Sequence, residues 1–101
     1  MAMPEASASW TFTSSGVGTA FDCRGYQQYL SFYIEAAAGS SATVQIETAR
    51  VSTGAWITLG TAISVSSNAS ILQVGGPLFW VRPHATVLPS TATLTVDLIG
   101  N

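Results

Sequence analysis

The chain contains no lysine, one histidine (His84) and one cysteine (Cys23), and only eight of its 101 residues carry a formal charge. Soluble domains ordinarily carry about 25% charged residues, against 8% here. A lone cysteine excludes an intrachain disulfide. The three arginines, Arg24, Arg50 and Arg82, lie far apart in sequence. With no basic run, a nucleic-acid partner has almost nothing to neutralise its phosphates. No apolar run approaches the roughly 18 residues of a membrane span, so no membrane partner is expected. Residues 1–9 lack the basic and apolar regions of a secretory signal, so none is expected. One His, one Cys and five scattered carboxylates show no metal-ligand spacing, and no glycine loop opens a helix. Neither a metal nor a cofactor is therefore expected.

What is present is apolar and hydroxyl-rich. Hydrophobic residues make up 48% of the chain, enough for a core, and the polar remainder includes 13 Ser and 12 Thr. A folded 10.5 kDa monomer exposes roughly 5,400 Å², or about one charge per 700 Å². A free cytosolic protein keeps more charge than that for colloidal solubility. The composition points to a working life packed against other protein.

The dominant period is two. Leu30, Phe32, Ile34 and Ala36 alternate with Tyr29, Ser31, Tyr33 and Glu35. Val44 and Ile46 alternate with Thr43, Gln45 and Glu47, and Leu94, Val96 and Leu98 with Thr93, Thr95 and Asp97. These are half-buried strands. Shorter β runs are expected over 10–13, 55–59, 62–66, 70–74 and 78–82. Gly39-Ser40-Ser41 reads as a hairpin connection, as does Ser52-Thr53-Gly54. Further turn signals at Gly60, Ser67-Asn68 and Gly75-Gly76-Pro77 recur every 8 to 12 residues. No helix is expected. The pattern predicts an all-β, antiparallel β-sandwich, jelly-roll-like, with about eight short strands. Residues 1–8 read as a flexible N-terminal arm and 9–101 as a single β-sandwich domain. The predicted core is Leu30, Phe32, Ile34, Val44, Ile46, Leu94, Val96 and Leu98.

A search for chemistry returns little. His84, between Pro83 and Ala85, reads as a loop or strand-end residue with no nucleophile elbow to serve. Arg24 beside Cys23 is able in principle to lower the thiol pKa, but a single Cys in a β protein reads as a small apolar filler. Glu35 and Glu47 can be cross-strand neighbours around the Gly39 turn. Each sits on the polar side of its strand and reads as a solvated or interface residue. No catalytic residue is assigned, and the chain is expected not to be an enzyme.

The aromatics point to contact. Trp56 and Trp80 lie in mixed apolar runs that suit a core or a subunit interface, with sugar stacking as a further reading. Tyr29 and Tyr33 face away from the apolar side of their strand, as interface anchors do. With Met3 and Pro4 of the arm, Tyr29, Tyr33, Trp56 and Trp80 form the candidate protein interface.

Two stretches carry a resemblance. Thr19-Ala20-Phe21-Asp22-Cys23-Arg24-Gly25-Tyr26 is followed by Leu30-Ser31-Phe32-Tyr33-Ile34-Glu35 and Thr43-Val44-Gln45-Ile46-Glu47. Later, Gly75-Gly76-Pro77-Leu78-Phe79-Trp80-Val81-Arg82-Pro83 leads to a threonine-rich run over 91–100. Together they resemble the small β-sandwich virion structural proteins of tailed bacteriophages, of the capsid decoration or cement type. The resemblance implies a non-enzymatic protein located in the virion after synthesis in the host cytoplasm. It implies the major capsid protein or another virion protein as partner, with homo-oligomerisation and no small-molecule substrate. A tail or fibre component, or a carbohydrate- or surface-binding β-sandwich module, is the alternative.

Overall fold

A computed structural model describes residues 8–24, 29–37, 41–66, 69–75, 78–89 and 92–100. Among these residues nine strands run as β1 (Ala8–Phe12), β2 (Gly16–Val17), β3 (Phe21–Asp22), β4 (Tyr29–Ala36), β5 (Ser41–Ala49), β6 (Ile57–Ser66), β7 (Ala69–Gly75), β8 (Trp80–Val87) and β9 (Leu94–Gly100). They form two antiparallel sheets. One has the order β1-β9-β4-β7; the other has the order β2-β8-β5-β6, with β3 also on β8. Taken as two segments of one broken strand, β2 and β3 complete the eight-strand order of a jelly roll.

The break has a cause in Pro83. In an antiparallel ladder a residue's N–H and C=O point to the same side. The Pro83 carbonyl accepts from Gly18 N at 2.8 Å, so its missing N–H faces the stretch between β2 and β3. A proline inside a strand is tolerated where no ladder donor is required. The expected run over 78–82 therefore continues through Pro83 to Val87. At the same place a Cβ on Gly18 would lie 2.8 Å from Trp10 Cδ1 and 2.9 Å from Pro83 Cγ. Only glycine lets the chain pass between these two rings. The Trp10 indole Nε1 donates to the Thr19 carbonyl at 3.0 Å, which ties β1 to this crossing.

Two other expectations are corrected. Gly39-Ser40-Ser41 does not close a hairpin, because β4 and β5 belong to opposite sheets and the chain crosses the sandwich there. Short polar connections look alike in sequence whether they close a ladder or change sheets. The runs 55–59 and 62–66 are one strand, β6, interrupted by a bulge. Leu59 faces Ile46 and Ile63 faces Val44, so residues 60–62 stand opposite Gln45 alone. Gly60 makes this possible with φ +68°, a left-handed conformation costly for other residues. Of the two expected hairpins, the one containing Ser52-Thr53-Gly54 joins paired strands, β5 and β6.

The predicted core is observed: Leu30, Phe32, Ile34, Val44, Ile46, Leu94, Val96 and Leu98 are all at most 1% exposed. Trp10 and Phe12 of β1, Val65 of β6, Val81 and Ala85 of β8, and Cys23 just after β3 join them. Phe32 and Leu98 are directly opposite one another between β4 and β9. Seven of the eight connections between successive strands, all but the β5–β6 hairpin, pass from one sheet to the other or bridge the broken strand.

Candidate functional site

The two outer faces differ in chemistry. On the face of β2-β8-β5-β6, register places Gln45 opposite His84 and Glu47 opposite Arg82. Alternation sends these four side chains away from the core and into one cluster. Arg82 Nε donates to Glu47 Oε1 at 2.7 Å. Gln45 Nε2 donates to Glu47 Oε2 at 2.8 Å, and His84 Nδ1 lies 3.0 Å from the same oxygen. The Arg82 guanidinium carbon sits 4.2 Å from the centroid of the Trp56 ring, a close cation–π contact. Further along, Arg24 lies 5.5 Å from the Trp80 ring centroid and pairs with Asp22 at 2.6 Å.

This cover buries Glu47 to 7% exposure. Burial alone would raise its pKa. The hydrogen bonds from Arg82, His84 and Gln45 outweigh that and hold the carboxyl below its ordinary value. The side-chain hydrogen bond from Arg24 does the same for exposed Asp22, lowering it to about 2.

Three sequence expectations change here. Glu47 is a buried, fully paired carboxylate rather than a solvated one. Glu35 is not its cross-strand neighbour, since Glu35 faces Ala69 and Thr95 in the other sheet. His84 is neither in a loop nor at a strand end; it lies in the middle of β8. The cluster was missed because Glu47 and Arg82 are separated by 35 residues. Its signal was two polar pairs at alternate positions, Gln45/Glu47 and Arg82/His84, which become one group only when β5 and β8 are paired.

Cys23 is a filler. It is wholly buried, its thiol is directed at the Phe79 carbonyl at 3.3 Å, and burial pushes its pKa up to about 11. The neighbouring Arg24 is committed to Asp22 instead. Among the described residues no three His, Cys, Asp or Glu side chains are grouped to hold a metal ion, and no helix is long and apolar enough to cross a membrane.

The outer face of β1-β9-β4-β7 carries Tyr33, 47% exposed, directly opposite Ile71, 54% exposed. On the other side Tyr33 faces Asp97, which accepts from the Ser9 hydroxyl at 2.5 Å. Glu35 and Asp97 are its charged groups, while all three arginines belong to the opposite sheet or its connections. Of the other sequence candidates, Trp56 and Trp80 are half-buried under the arginines on the second face. Tyr29 opens β4. Met3 and Pro4 lie outside the described residues.

No family model and no curated protein matches this chain. Solved structures match its fold. The SPBc2 prophage-derived protein YomS is 16% identical with a TM-score of 0.64, covering 100% of this chain and 97% of that one. The Yersinia pseudotuberculosis-derived mitogen is 15% identical with a TM-score of 0.60, covering 98% of this chain and 88% of that one. The architecture is thus one that a prophage-derived protein also adopts over nearly its whole length.

Proposed function

We propose that this chain is a non-enzymatic virion structural protein that decorates or cements a phage capsid, with the major capsid protein or another virion protein as partner. The observation that carries the reading is the adjacent, exposed Tyr33–Ile71 pair on a sheet face without a basic residue. An aromatic beside an aliphatic, ringed by hydroxyls and two acids, suits association by apolar contact rather than by ion pairing. The fold shared with a prophage-derived protein supports the same setting.

The test is mass spectrometry of purified particles from the phage or prophage that encodes the chain. Fixed stoichiometry in the particle is the expected result. Copy number should fall more for Tyr33→Ala than for Glu5→Ala. Because few charges are available to be screened, about 1 M salt should release little of it. Absence from the particle, or release by salt alone, would falsify the reading.

A second reading rests on the other face. Trp56 and Trp80 flank a cluster of planar polar side chains, Gln45, Glu47, Arg82 and His84, on one sheet surface. Arginine-capped indole rings beside planar hydrogen-bonding groups suit a carbohydrate- or surface-binding module, including one carried by a tail or fibre. Binding of the isolated chain to a glycan array, lost in Trp80→Ala, would select it over the first.

A further inference from the structure

A cavity of about 280 Å³ opens at one end of the sandwich, lined by Thr48, Ala49, Arg50, Ala55, Ile57, Leu78 and Phe79. Ile57 and Phe79 are unusually exposed for their size, at 64% and 46%. Thr48 has its hydroxyl committed to the Trp80 carbonyl at 2.8 Å. Arg50 is different from the other two arginines. Arg24 is paired with Asp22 and Arg82 with Glu47, whereas Arg50 makes no ion pair among the described residues. The cavity therefore asks for an apolar group with one anionic neighbour. Its volume lies just under the roughly 300–1,000 Å³ of ordinary small-molecule sites, which suits one or two side chains better than a cofactor.

The chain has such a segment. Residues 1–7, Met-Ala-Met-Pro-Glu-Ala-Ser, hold two methionines and one acid. In an extended chain Met3 and Glu5 share one side, about 6.6 Å apart, and Pro4 between them favours that extended form. Register also gives the direction. Ala8 is opposite Leu98, which is opposite Phe32, so β1 begins at the Leu30–Gly100 end of its sheet. That is the end where the β3–β4 and β7–β8 connections and the β5–β6 loop lie, and the cavity with them. The segment starts from the edge strand β1, while the cavity sits beyond β8, where β5 meets β6. Donor and receptor on different edges of one end are what a head-to-tail contact between identical copies needs.

We propose that the cavity is the receptor for residues 1–7 of a neighbouring copy, with Met3 in the apolar part and Glu5 on Arg50. Self-association then uses this end of the sandwich, and the Tyr33 face stays free for a different partner. The proposal goes beyond the capsid reading and does not rest on it.

The test uses the full-length chain. Sedimentation at increasing concentration should show self-association. Glu5→Arg and Arg50→Glu should each weaken it roughly fivefold, near the upper end for an exposed ion pair, and the two together should restore it. Two separate variants, Met3→Cys and Ala55→Cys, are then mixed under oxidising conditions; Cys23 is buried and stays out of reach. A mixed dimer linked between positions 3 and 55 is the expected product. A monomer at all concentrations would overturn the proposal, as would a 3–55 link that forms only within one chain of the double variant. Circular dichroism of each variant checks that the fold is intact.

Discussion

Glu47 and Arg82 face each other across β5 and β8, and the 2.7 Å contact between them holds a buried carboxylate against a guanidinium that is itself stacked on Trp56. The two residues are unequal partners. Glu47 is nearly sealed from water, while Arg82 retains partial access to it. Removing the arginine therefore leaves a buried charge with only His84 and Gln45 to satisfy it. Arg82→Ala should cost about 2–4 kcal/mol, close to the range for breaking a buried pair. Arg82→Lys should recover only part of this, because an ammonium supplies neither the Nε–H geometry nor the planar stack on Trp56. Chemical denaturation of the three proteins measures the order; a lysine variant as stable as the parent would show that the stack contributes nothing.

The same carboxylate sets an acid limit on stability. Its folded pKa is lowered, so the folded state binds this proton less readily than the unfolded chain, where a glutamate titrates near 4.3. The stabilisation is present above the unfolded value and is lost as pH falls through the folded one. The melting temperature should decline more steeply below about pH 4 in the parent than in Glu47→Gln, which has no charge to lose there. Parallel acid limbs for the two proteins would remove Glu47 from the account.

Glycines at two positions should respond differently. Gly18→Ala places a methyl against Trp10 and Pro83, two packed rings, and should cost about 1–3 kcal/mol as an overpacked site does. Gly60 has open space around it but a φ of +68°. Gly60→Ala should cost about 1–2 kcal/mol for the left-handed backbone, and Gly60→Asn less, since asparagine visits that region more readily. Thermal melts of the three variants check the ranking.

Phe32 is the largest of the fully buried side chains among the described residues. Phe32→Ala should destabilise by about 3–5 kcal/mol through lost burial and a residual cavity. A loss under 1 kcal/mol would mean that the two faces of β4 are reversed.

Much of this architecture was legible in the residues alone. Alternation along 30–36, 43–47 and 93–98 named the core side chains correctly, because a period of two has one consistent inner face wherever a sheet packs on another. The same alternation placed Tyr33 outside. Pairing between strands was beyond its reach. Whether 39–41 closes a hairpin or crosses the sandwich depends on which sheet receives β5, and that is decided by how all the inner faces pack together. The union of Glu47 with Arg82, Gln45 and His84, and the burial of a charge that its own strand pattern assigned to the surface, followed only from the neighbour that β8 became. Pro83 marks the boundary between the two kinds of information: from sequence it ends a strand, and in the fold it sits inside one, because the donor it lacks faces the gap between β2 and β3.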